Sequence, residues 1–137
     1  MLSLTHIHLR VQDPEDAAQW YVNMLEANII ERYQTSAGGP SVAIDIGGTR
    51  INIMGAPPGE ELPAANPNPH MGLEYFGLRT DDLEGLVSKL QTQGVEVLEP
   101  IREGRNGTIC YIKAPDNVRI EIQQYAREAL ESANATP

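Results

Sequence analysis

The sequence predicts an α+β fold, two tandem βαβββ modules whose strands form a curved, half-barrel-like mixed sheet around a cleft. Three observations predict it. The order strand, helix, three strands is readable twice along the chain. The two copies share residues at one constant offset of 69 positions, as from Arg10 to Arg79. One Pro-rich stretch without periodicity, holding five prolines between residues 55 and 69, separates them.

The first strand is expected over residues 5–11, where Ile7, Leu9 and Val11 alternate with His6, His8 and Arg10. Asp13-Pro14 reads as helix N-cap and first helical residue, and Ala17, Ala18, Tyr21 and Leu25 give the helix its apolar stripe. Strands then follow over residues 29–33, 42–46 and 50–54, with Gly47-Gly48 as a tight turn before the last. In the second copy, residues 73–80 read as a strand. Asp82 caps a helix with the stripe Leu83, Leu86, Val87 and Leu90, and Gly94 ends it. Three more strands are expected over residues 95–101, 108–113 and 119–123, and the tail from residue 126 as helical at first, then frayed.

At 137 residues the chain is read as a single domain: module 1 over about 4–55, a linker over about 56–71, module 2 over about 72–124, and a short C-terminal tail. A net charge of −9 argues against nucleic-acid and anionic-membrane partners, which would repel it. One cysteine, Cys110, excludes an internal disulfide and a multi-cysteine zinc cluster; it reads as a small packed residue. No apolar run reaches membrane-spanning length and the N-terminus has no signal-peptide core, so a cytoplasmic protein is expected.

The offset recurs from Asp13 to Asp82, Arg50 to Arg119, Ile51 to Ile120 and Ile53 to Ile122. A duplicated unit of this kind buries its helices on one side of each sheet and leaves the other faces to line a cleft. Alternation then puts His6, His8 and Arg10 of one half, and Tyr75, Gly77 and Arg79 of the other, on the cleft faces.

The segment His6-Ile7-His8-Leu9-Arg10-Val11, with Asp13, Trp20-Tyr21 and Leu25, resembles the opening strand and helix of the vicinal oxygen chelate superfamily, which includes glyoxalase I, bleomycin resistance proteins and extradiol dioxygenases. Phe76-Gly77-Leu78-Arg79 with Asp81-Asp82-Leu83-Glu84 is its second-half counterpart. The run from Ile112 to Asn117, followed by Arg119-Ile120-Glu121-Ile122, resembles the closing turn and strand that carry the family's carboxylate ligand. The resemblance covers residues 4–124. It implies four ligand positions, which fall on His6, Asn52, Tyr75 and Glu121. His6 and Glu121 match the family's ligand types; Asn52 and Tyr75 depart from the usual His, Glu or Gln.

The resemblance therefore implies a divalent metal ion (Mn, Fe, Co, Ni or Zn) on His6, Glu121 and Tyr75, although Tyr75 binds as phenolate only if the ion displaces a proton of pKa ~10. Glu121, between two isoleucines on a strand, is an inward carboxylate that must be paired or metal-bound. Arg119 on the same face is the candidate for a purely structural partner. Glu121 and Tyr75 are the expected catalytic residues, and Arg10, Arg79, His8 and Asn52 the expected substrate-binding ones. His70 reads as a loop residue. The activity this implies is a lyase, isomerase or epimerase that moves a proton next to a carbonyl of a small anionic substrate. The alternatives are an extradiol-type dioxygenase, which needs a second histidine, and a metal-free binding protein of the drug-resistance type. The resemblance also implies a homodimer.

Overall fold

The computed structural model describes residues 1–128 and 131–132. It divides into two compact units, residues 1–64 and 65–137, with the division inside the expected linker. Among the described residues each unit is a four-stranded mixed sheet, open at its edges, with a helix between its first two strands.

In the first unit the elements are β1 (Ile7–Arg10), α1 (Pro14–Leu25), β2 (Asn28–Thr35), β3 (Gly39–Ile46) and β4 (Thr49–Met54), with strand order β1-β4-β3-β2. The Asp13 carboxylate accepts from the Asp16 amide at 3.1 Å and starts α1, while Pro14 needs no amide partner in the first turn. Ala17, Ala18, Tyr21 and Leu25 are its buried stripe, as their spacing predicts. Glu26 ends the helix in the left-handed region (φ 58°), a position more often given to glycine.

The second unit repeats this with β5 (Phe76–Arg79), α2 (Leu83–Thr92), β6 (Val97–Glu103), β7 (Gly107–Ala114) and β8 (Val118–Tyr125), in the order β5-β8-β7-β6. Asp82 caps α2 by accepting from the Gly85 amide at 3.0 Å. The duplication extends to register. Ile7 pairs with Ile51, His8 with Asn52 and Leu9 with Ile53; at the same offset Phe76 pairs with Ile120, Gly77 with Glu121 and Leu78 with Ile122. Ile44, Ile51 and Ile53 are fully buried in one core, and Leu83, Leu90, Ile112, Ile120 and Ile122 in the other. Each such side chain contributes about 1.5–3 kcal/mol of burial.

The first strand, expected over residues 5–11, forms at Ile7–Arg10, and those expected over 29–33 and 42–46 run longer, as Asn28–Thr35 and Gly39–Ile46; two strands of the second unit differ for a local reason. The strand expected over residues 73–80 forms only at Phe76–Arg79. Gly72 turns the chain at φ +93°, and the Leu73 carbonyl faces the His70 ring instead of a neighbouring strand. The strand expected over residues 95–101 lies two residues later, because the Val95 amide still donates to Leu90 in the C-terminal turn of α2, where Gly94 is left-handed (φ +85°). The tail is helical at Arg127, Glu128, Glu131 and Ser132; the rest of the expected tail lies outside the described residues.

Candidate functional site

Alternation along β8 puts Ile120 and Ile122 in the core and turns Arg119, Glu121, Gln123 and Tyr125 to the opposite face. Antiparallel pairing sets Tyr111 of β7 directly beside Glu121, and parallel pairing sets Gly77 of β5 on its other side. A Cβ at Gly77 would lie 3.8 Å from Glu121 Oε1, an ordinary contact distance.

Glu121 is 5% exposed, and both carboxylate oxygens hold protein donors. The Tyr111 hydroxyl donates to Oε2 at 2.5 Å, and the Gln123 amide donates to Oε1. Burial first, and the Glu121 bond second, push the Tyr111 phenol well above the ordinary tyrosine range, so it stays a donor. Tyr75, just before β5, meets the Tyr111 ring edge-on, with centroids 5.1 Å apart and hydroxyls at 3.5 Å.

Arg119 is not the partner of Glu121. Its buried guanidinium pairs with Glu99 and, at 3.8 Å, with Glu74; it donates to the Pro67 carbonyl at 3.0 Å and lies 4.1 Å above the Tyr111 ring. Glu121 is thus a buried carboxylate stabilised by two neutral donors, with no cationic partner among the described residues. It opens on a pocket of about 300 Å³ within the second unit, whose wall includes Tyr75, Glu121, Gln123 and Tyr125. Arg79 stacks on the Tyr125 ring at 5.2 Å.

In the first unit, His6 precedes β1, is exposed, and its Nδ1 lies 2.8 Å from the Thr5 hydroxyl. His8 and Asn52 are cross-strand neighbours. Desolvation holds the His8 ring below the ordinary histidine range, with the Arg10 charge next and His6 last. The Asn52 carbonyl oxygen accepts from Arg50 Nε at 2.7 Å, and Arg50 also pairs with Glu31 at 2.7 Å, so Asn52 presents its amide group as the remaining donor. Arg10 Nη1 donates to the Ala37 and Gly55 carbonyls at 2.8 and 2.7 Å, and Gly38 leaves room for it. His70 is a loop residue as expected, both ring nitrogens facing the backbone carbonyls of Asn68 and Leu73. Among the described residues, no three His, Cys, Asp or Glu side chains gather as a ready metal cluster.

Sequence reading missed Tyr111 and Gln123. Tyr111 had a legible signal, because a tight turn at Asp116-Asn117, both left-handed at φ 61° and 62°, folds β7 back so that residue 111 faces residue 121. Gln123 shares the strand face of Glu121 by simple alternation.

The sequence profile of the Glyoxalase/Bleomycin resistance protein/Dioxygenase superfamily matches residues 3–122. The chain is 25% identical to glyoxalase I of Saccharomyces cerevisiae, over 95% of this chain and 47% of that protein, so it spans about half the length of that relative. It is 26% identical to human mitochondrial methylmalonyl-CoA epimerase, over 88% of this chain and 73% of that protein. Both relatives are enzymes. Among solved structures, a glyoxalase/bleomycin resistance protein/dioxygenase domain from Frankia sp. superposes with a TM-score of 0.77 at 19% identity, covering 92% of this chain and 99% of that one. A variant of the fosfomycin resistance protein FosX from Listeria monocytogenes, complexed with Mn(II) and a dihydroxypropylphosphonic acid, gives 0.70 at 20% identity, covering 96% and 98%. At these identities the solved structures show a shared fold. No helix among the described residues is long and apolar enough to cross a membrane.

Proposed function

This chain belongs to the Glyoxalase/Bleomycin resistance protein/Dioxygenase superfamily, and we propose that it is an enzyme moving a proton on the carbon next to a carbonyl of a small substrate, as a lyase, isomerase or epimerase. The observation that carries the reading is Glu121, a buried carboxylate without a cationic partner among the described residues, opening on a pocket. Arg119, the cation on the same strand face, is turned to Glu99 and Glu74 instead of neutralising Glu121.

Tyr111 on one oxygen and Gln123 on the other fix the plane of the carboxylate and leave each oxygen a further lone pair. Glu121 takes the proton from the substrate carbon; in an isomerase it returns it to the neighbouring carbon, and in an epimerase a group other than Glu121 delivers a proton to the opposite face. The Tyr75 hydroxyl is the donor to the carbonyl oxygen as charge develops on it. His8 and Asn52 are carried forward as substrate contacts of the first unit.

Within the second unit the buried Glu121 carboxylate, with no cationic partner among the described residues, and the Tyr75 hydroxyl are oxygen donors of the kind that suits a divalent ion such as Mn, Fe, Co, Ni or Zn. In the second unit Glu121 and Tyr75 are the residues that would hold it, and His6 is carried forward as the further ligand expected from the sequence. When bound, such an ion polarises a substrate oxygen as a Lewis acid. A metal-free binding protein is the second reading, favoured by the Asn52 oxygen already held by Arg50. An extradiol dioxygenase ranks below both, because His70 is engaged within its loop. The reading keeps the cytoplasmic homodimer expected from the sequence.

Two measurements test it. Elemental analysis of the purified chain should find stoichiometric divalent metal, lost in both His6→Ala and Glu121→Ala; a wild type that holds none after reloading removes the metal from the reading. Incubation with a panel of small carbonyl acids in D2O, followed by proton NMR, should show exchange at the carbon next to the carbonyl. Glu121→Gln should slow that exchange by about 10²-fold or more. Exchange at the wild-type rate in Glu121→Gln would overturn the assignment.

A further inference from the structure

The pocket beside Glu121 has a second, oppositely charged pole. Arg102 and Arg105, on the hairpin joining β6 to β7, both line it, and Glu121 is the one acid among its lining residues. Among the described residues Arg105 is unpaired and Arg102 holds one long ion pair. Arg105 has no hydrogen bond or ion pair among the described residues. Arg102 donates to the Glu103 carbonyl at 3.2 Å and lies 3.8 Å from one oxygen of Glu99, whose other oxygen is taken by Arg119. In a chain of net charge −9, two guanidinium groups on one small pocket, one unpaired and one held by a single long ion pair, stand against the background.

The hairpin holds them in place. The Gly104 amide donates to the Gly107 carbonyl at 2.7 Å, closing the turn, and the Ala126 amide donates to the Asn106 carbonyl at 2.7 Å, tying it to the end of β8. Gly107 is at φ +148°, where a Cβ would lie 2.1 Å from the Gln124 carbonyl oxygen, so the turn packs on β8 with no space between. Such a scaffold fixes the backbone of Arg105 before any ligand arrives. The arginines expected from the sequence to clamp an anion are committed in part elsewhere: Arg10 to two backbone carbonyls, Arg79 to the face of Tyr125.

We propose that Arg102 and Arg105 form an anion subsite of this pocket, and that the substrate is a small acid whose carboxylate, phosphate or phosphonate they bind while Glu121 faces its acidic carbon. Guanidinium groups bind such planar or tetrahedral oxyanions by charge-assisted, often paired hydrogen bonds. A pocket of about 300 Å³ is at the small end for ligand sites, which selects a substrate of few carbons over a bulky conjugate. The subsite rests on the proton-transfer reading only for what faces Glu121; anion binding itself does not require turnover.

The test is a titration of the isotope-labelled full chain, followed by amide NMR, with acetate, with inorganic phosphate, and with acetamide as the neutral counterpart of acetate. Acetate or phosphate should give saturable shifts concentrated on residues 102–109 and 123–125, and whichever binds tighter identifies the anion type. Acetamide should leave those amides unmoved. The Arg102→Ala/Arg105→Ala double variant should bind about tenfold more weakly or worse, with Arg105→Lys between it and the wild type. Both side chains are exposed, so amide positions away from the hairpin should match the wild type and verify the fold. Glu121→Gln should bind the anion at least as tightly, because a nearby negative charge is removed. Equal affinity in the double variant, equal response to acetamide, or shifts scattered over the surface would each overturn the subsite. Anion binding that persists when proton exchange is absent from the whole panel would refute the catalytic reading and leave the subsite standing.

Discussion

Replacing Tyr111 by Phe removes one oxygen and leaves nearly everything else. The ring keeps its edge-on contact with Tyr75 at 5.1 Å and its place under Arg119 at 4.1 Å, so the substitution removes the bond to Glu121 Oε2 and the longer one to the Tyr75 hydroxyl at 3.5 Å, the latter common to the wild-type and Glu121→Gln backgrounds. A hydrogen bond to a buried charged group is worth about 1.5–3 kcal/mol, and Glu121 is left with Gln123 as its one remaining protein donor. Tyr111→Phe should therefore lower stability by about 1.5–3 kcal/mol. In a Glu121→Gln background the same hydroxyl meets a neutral amide, and its loss should cost only about 0.5–1.5 kcal/mol. The difference, about 1 kcal/mol or more, is the coupling of hydroxyl to charge. Urea unfolding of the four proteins, followed by circular dichroism at neutral pH, measures it. A cost below about 0.5 kcal/mol in the wild-type background, or the same cost in both, would refute the claim that Tyr111 stabilises an ionised Glu121.

Gly107→Ala should destabilise the second unit by several kcal/mol, on the order of the largest single-residue effects, since its Cβ would collide with the Gln124 carbonyl; urea unfolding checks it, and a change within about 0.5 kcal/mol contradicts it. Cys110 is fully buried beneath the Glu99 carbonyl, and burial pushes its thiol above the ordinary range, with the Tyr111 backbone acting in the opposite sense and the Glu99 charge adding to the rise. A raised folded-state pKa gives stability that is full below the unfolded thiol pKa and is lost as pH rises through the folded one. As the chain's one cysteine, it should stay silent to a thiol reagent in native protein even at mildly alkaline pH and react fully in denaturant. Rapid native labelling would contradict this.

The strands and helices were legible where one residue type decides a local question. Asp13 and Asp82 start the helices as capping carboxylates, and Ile51, Ile53, Ile120 and Ile122 mark the buried strands by alternation. The strand before Phe76 was misread because residues 73–75 look like strand but do not join the ladder with β8, which begins at the Phe76–Ile120 pair. Ladder pairing is a property of two segments, and propensity describes one. Glu121 was found as a charged residue among isoleucines. What surrounds it was not, since Tyr111, Gln123 and Arg102 carry no motif of their own.

The sequence by itself determined the duplication, its offset, the strand–helix order and the position of an inward carboxylate, because each follows from periodicity and from residues repeated along one chain. Only the tertiary structure decided which cation goes to which acid. It gave Arg119 to Glu99 and Glu74, Arg50 to Asn52 and Glu31, and Arg10 to two carbonyls, and left Glu121 with neutral donors. Long arginine side chains choose partners by the geometry of several packed elements at once, and linear spacing does not encode that choice.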